Sequence, residues 1–115
     1  MSEAAIARLR ELNAPGEPDV ACEIGGIFLA EAPRKIALAR DAIARADAPA
    51  VEGAAHSLKG SCRNLGAEPL ARICGRLENA AREGAIGGAA ALMAEIDAEL
   101  GRVRRALGAK LGIAS

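Results

Sequence analysis

At 115 residues the chain is long enough for one domain around one core. With 51% hydrophobic and 26% charged residues it is neither a disordered chain nor a membrane-dominated one. Fifteen basic residues balance 15 acidic ones, and Phe28 is the only aromatic residue. That excludes both the basic surface of a duplex binder and the stacking platform of a single-strand binder.

No apolar run is long enough to span a bilayer. The opening Met-Ser-Glu-Ala-Ala-Ile has neither the basic region nor the apolar stretch of a secretion signal. Cys22, Cys62 and Cys74 are odd in number and form no CxxC pair. They are expected to be reduced thiols of a cytoplasmic protein, buried as small hydrophobes.

Apolar residues recur at helical spacing and no strand pattern stands out, so the fold is expected to be all-α. A short first helix is predicted over residues 3–12, stopped by Asn13-Ala-Pro-Gly. Asp19 can cap a second helix over 19–46, with Ile24, Phe28, Ile36, Ala39 and Ile43 largely on one face. Pro33 inside it predicts a kink or local break. Gly25-Gly26 is unexpected in a long helix. It leaves either a flat spot for a partner or room for close contact with the first helix.

A third helix is predicted over 49–65, capped by Asp47 and closed by Gly66. A fourth covers 68–83 with Leu70, Ile73, Leu77 and Ala81 inward. Gly84, Gly87 and Gly88 make the next turn. A fifth covers 89–107 with Leu92, Ile96, Leu100, Val103 and Leu107 inward, and 108–115 is expected to fray. Short connections favour antiparallel neighbours. The expectation is one domain over 1–115, an antiparallel up-down four-helix bundle with a short additional N-terminal helix. No exposed apolar stripe stands out, which points to a monomer.

The third helix carries the chemistry. At about 100° per residue, Ala55, Leu58, Cys62 and Leu65 fall within roughly 40° of Val51 and make a core stripe. Glu52, His56, Lys59, Gly60 and Arg63 spread from about 80° to about 180° and make a second, outward stripe. His56 is the only histidine and a possible neutral nitrogen nucleophile near neutral pH. Lys59, at i+3, can bring an ammonium to charge that builds on His56. Gly60, at i+4, costs a helix about 1 kcal/mol relative to Ala, which is understandable if another molecule approaches the backbone there. Close packing against a neighbouring helix would also explain it. Glu78 and Arg82 have the spacing of a helix-surface ion pair.

The stretch Ala55-His56-Ser57-Leu58-Lys59-Gly60-Ser61-Cys62-Arg63-Asn64-Leu65-Gly66-Ala67 resembles the signature of histidine-containing phosphotransfer (HPt) domains. The likeness continues through Leu70, Cys74, Leu77-Glu78, Ala81-Arg82 and Gly84, and upstream through Ile27-Phe28-Leu29 and Pro33. It implies a four-helix-bundle phosphocarrier of two-component phosphorelays. In this reading His56 accepts the phosphoryl group, Lys59 helps neutralise its oxygens, and Gly60 admits a receiver domain. Ser61 matches a small-residue position. Arg63 matches no invariant position and is placed beside the site by the helical wheel alone.

The resemblance further implies response-regulator receiver domains and a hybrid sensor kinase as partners. Mg²⁺ is expected on the receiver, since no carboxylate cluster suited to it is apparent in this chain. No Walker-type loop or kinase motif accompanies the histidine, so the chain is expected to be a carrier without kinase activity of its own. A helical interaction module that never takes phosphate is the competing reading. A metal or haem bundle and a hydrolase both ask more of one histidine than it can supply.

Overall fold

The computed structural model describes residues 1–16 and 19–113. Five α-helices follow one another: α1 (Glu3–Arg10), α2 (Val20–Ala44), α3 (Ala48–Leu65), α4 (Glu68–Arg82) and α5 (Ala89–Leu111). A 3₁₀ turn, Ile86–Gly88, precedes α5. The fold is an all-helical bundle with an extra helix at the N-terminus.

Cross-helix contacts give the directions. Glu78 meets His56, and Arg82 meets Glu52, so numbers fall along α3 as they rise along α4. Arg40 meets Asp97 while Gly25 faces Leu107, so α2 and α5 are also antiparallel. The largest interface is between α3 and α4, followed by α2 with α3.

Local chemistry sets the helix ends. The side chains of Ser2, Asp19 and Asp47 accept the N–H groups of Ala5, Cys22 and Ala50, capping α1, α2 and α3. Pro49 lies in the first turn of α3, where its missing N–H has no bond to lose. Gly66 closes α3 in the left-handed region at φ +88°, and its N–H and that of Ala67 both reach Cys62 O.

Several expectations are corrected. α1 stops at Arg10, two residues early, and Asn13 instead ties the loop to α2 by accepting the Ala21 N–H and donating to Asp19. Pro33, exposed on α2, does not end it: the helix runs unbroken from Val20 to Ala44. α5 continues to Leu111 and ends at Gly112, φ +68°. The chain beyond 107 is therefore folded as far as Ile113, which packs back on the bundle.

Ile113 also explains Gly25. A Cβ there would stand 2.5 Å from Ile113 Cδ1 and within 3.7 Å of Leu107, so this glycine admits the end of α5, not α1. Gly26 faces open space.

The core stripe of α3 is as expected, with Val51, Ala55, Leu58, Cys62 and Leu65 all buried. On α2, Ile24 and Ile43 are only half-buried, and Ala21, Ala32 and Ala42 take the inner positions. On α5, Met93 and Ala89 are buried and Leu92 sits at the edge. All three cysteines are unpaired. Cys62 and Cys74 are buried, whereas Cys22 is half-buried with its thiol donating to Asp19. No helix of the described residues is long and apolar enough to cross a membrane.

Candidate functional site

His56 projects from the middle of α3 with its side chain 70% exposed. Its Nδ1 lies 2.9 Å from Oε2 of Glu78 on α4. The Glu78 side chain is only 4% exposed, so the fixed half of this contact is the carboxylate. A carboxylate at Nδ1 makes that nitrogen the N–H donor and leaves the lone pair on Nε2, which faces away from the bond.

Lys59, one turn after His56, sends its side chain across to α4. Its Cδ lies where a Cβ on Gly75 would be in ordinary contact, at 3.6 Å, and its ammonium reaches Glu78 Oε1 at 2.5 Å. Arg82, one turn after Glu78, places Nη2 3.1 Å from Oε2 and Nε 3.0 Å from Glu52 Oε2. One buried carboxylate therefore collects Lys59, His56 and Arg82.

The Lys59 ammonium, and after the opposing effect of burial the His56 bond, hold Glu78 below the ordinary carboxylate value. Glu78 is thus a fixed negative charge at neutral pH, and the imidazole is aligned by it. Lys59 reaches His56 through this carboxylate.

Sequence reasoning placed Glu78 on the surface by default, as part of an exposed pair with Arg82. The inward stripe of α4 is in fact Leu70, Ala71, Cys74, Leu77, Glu78 and Ala81, rotated so that Ile73 moves to the edge. The available signal was Cys74: a glutamate four residues after a core cysteine shares its face. Half of the pair reading survives, since Arg82 is exposed.

Gly60 is exposed, and a Cβ there would meet nothing within 4 Å. Packing between helices does not require this glycine. Gly53, one turn before His56, is equally open and was passed over in the sequence. Bare backbone therefore flanks His56 on both sides along α3.

The other two candidates lie apart. Ser61 is half-buried on the α2 flank of α3 and accepts a 2.6 Å hydrogen bond from Lys35 Nζ. Arg63 is exposed two turns from His56, about 10 Å along the axis. It borders a cleft shared with Ala5, Arg8 and Leu9 of α1.

Comparison with known proteins gives a consistent picture. The profile of the Hpt domain family matches residues 23–106. The crystal structure of histidine-containing phosphotransfer protein B (HptB) from Pseudomonas aeruginosa PAO1 is similar, with a TM-score of 0.86 and 28% sequence identity. The match covers 96% of this chain and 92% of that one. No curated protein matches the chain by sequence.

Proposed function

Because the chain belongs to the Hpt domain family, we propose that it receives a phosphoryl group on His56 Nε2 from the phosphoaspartate of a response-regulator receiver domain. It then hands the group to the aspartate of another receiver. The observation that carries this reading is the exposed imidazole held at Nδ1 by a buried, ionised carboxylate.

The receiver docks over α3, where Gly53 and Gly60 leave the backbone open on either side of His56. Nε2 attacks phosphorus in line, the N–P bond forms as the P–O bond breaks, and the aspartate leaves as a carboxylate. No proton needs to move. The one on Nδ1 stays, the ring becomes cationic, and Glu78 stabilises that charge. Lys59 holds Glu78 ionised and oriented, and it is the nearest lysine from which the phosphoryl oxygens can draw positive charge. Arg82, tethered but 58% exposed, can swing from Glu52 toward the incoming group.

Mg²⁺ belongs to the receiver in this scheme, and a hybrid sensor kinase supplies the phosphate upstream. The chain itself takes nothing from ATP and works in the cytoplasm as a carrier.

Incubation with a phosphorylated receiver domain tests the proposal. The chain is expected to take up acid-labile, base-stable label, and His56→Gln to take up none. Label uptake unchanged in His56→Gln contradicts it and leaves the interaction-module reading.

A further inference from the structure

Lys59, Glu78, Arg82 and Glu52 are joined in one cluster around His56. Glu78 carries the bond to Nδ1, and Lys59 holds Glu78. Arg82 is divided: Nη2 lies 3.1 Å from Glu78 Oε2, while Nε lies 3.0 Å from Glu52 Oε2. Glu52 stands one turn before His56 on the same face of α3. Among the described residues its one ion pair is with Arg82.

The fold does not ask for this pair. Arg82 is 58% and Glu52 35% exposed, and surface bridges of that kind add little to stability. The buried stripes of α3 and α4 already hold the two helices together in the largest interface of the bundle.

The charge balance gives Glu52 a different task. Lys59 and Arg82 offset Glu52 and Glu78, so the resting cluster is neutral. A phosphoryl group brings about two negative charges, and the cationic ring that carries it cancels only part of them. The phosphorylated cluster is left short of positive charge. Lys59 is largely enclosed, with its ammonium 2.5 Å from Glu78. Arg82 stands mostly in solvent and is the member of the cluster able to turn to the phosphoryl oxygens, but it has to leave Glu52 to do so.

We propose that Glu52 is a positioning residue that keeps phosphorylated His56 a ready donor: by holding Arg82 it withholds positive charge from the phosphoryl group, and so sets how far transfer runs toward the histidine. This rests on the reading of His56 as the phosphoryl acceptor. In the reversible step the N–P bond forms as the P–O bond of the phosphoaspartate breaks, and the aspartate leaves as a carboxylate with the electron pair. Glu52 takes no part in that exchange. It favours the unphosphorylated side, where Arg82 keeps both of its carboxylates. A carrier gains from this, because a histidine that met its phosphoryl group with every available charge would accept it well and deliver it poorly.

The test is the equilibrium partition of label between His56 and a receiver aspartate, approached from both directions, in solution dilute enough that the two proteins are separate. Docking alters how fast this partition is reached but not where it lies, since it depends only on the separated proteins. Glu52→Gln is expected to move it toward His56 by about two- to five-fold, the range of an exposed ion pair. The shift should be smaller in an Arg82→Gln background, where there is no guanidinium to release. Glu95→Gln removes the same charge from the exposed pair that joins α5 to Arg76 of α4, and should leave the partition where it is. Circular dichroism checks that each variant is helical.

An unchanged partition in Glu52→Gln overturns the proposal. So does an equal shift in the Arg82→Gln background, because Glu52 would then act by plain repulsion, and so does an equal shift in Glu95→Gln, which would make the effect one of net charge. Wild-type protein that takes no label contradicts the carrier reading and this proposal with it, whereas label on wild-type His56 with an unmoved Glu52→Gln removes this proposal alone.

Discussion

Glu78 is buried because of its position on α4, and it stays charged because Lys59 lies 2.5 Å away. That combination distinguishes His56 from an ordinary surface histidine. A bare imidazole exchanges its proton between two nitrogens, whereas this one is held in a single tautomer and orientation. Glu78→Gln keeps the shape but removes the charge that, in the proposed mechanism, stabilises a phosphorylated, cationic ring. Transfer to His56 is expected to slow by about 10- to 100-fold, the cost of removing the partner that orients a metal-bound histidine, with rates read from label uptake against time. An unchanged rate would remove Glu78 from the mechanism.

Gly60 offers the converse test. A methyl group there meets nothing, so Gly60→Ala should raise stability to denaturant by about 1 kcal/mol through helix propensity. If the receiver docks over α3 as proposed, the same substitution should slow transfer. Loss of stability instead would mean that Gly60 serves packing after all.

The elements were largely legible in the sequence, because their signals are local. Asp19, Asp47 and Gly66 mark helix ends by bonds within one turn, and the structure uses all three. What escaped depends on distant partners. α5 runs past 107 because Ile113 finds Gly25, about ninety positions earlier in the chain, and no local pattern announces that. The inward face of α4 was missed for a related reason. Leu70, Leu77 and Ala81 fit it, but the choice between Ile73 and Glu78 was settled by Lys59 and His56 on α3. The proposed grouping of His56, Lys59 and Gly60 was legible because they share one helix, whereas the contact with Glu78 required a second.

The turn between α2 and α3 carries a defect open to improvement. Ala46 is held at φ +54°, in the left-handed region that disfavours a Cβ. It is exposed, so Ala46→Gly should stabilise the protein by about 0.5–1 kcal/mol in urea unfolding, with no effect on transfer. Destabilisation would mean that the entropy glycine adds to the unfolded chain outweighs the relieved strain.

The whole molecule is a rod with extents of 49 × 20 × 20 Å, closed at one end by α1. Ala5 lies against Gly66, with a 3.4 Å approach to the position of a Cβ, while Glu3 and Arg10 hold Lys110 near the end of α5. His56 lies mid-rod, away from this closure, so the site is an open flank and not a pocket.

Its charge network also makes folding sensitive to acid. Glu78 has a carboxyl pKa below its ordinary 4.5 in the folded state, so below 4.5 the unfolded chain binds the extra proton. Its contribution is full above that value and is lost as pH falls through the lowered folded value. Glu78→Gln should flatten the acid limb of the stability profile, and an unaltered limb would show that the network does not support the fold.

The most direct test of the central claim is ¹⁵N nuclear magnetic resonance of the labelled chain after exposure to a phosphorylated receiver domain. The account predicts one phosphorylated residue, His56, with phosphorus on Nε2 and the proton retained on Nδ1 beside Glu78. Phosphorus on Nδ1, on another residue or nowhere would contradict it.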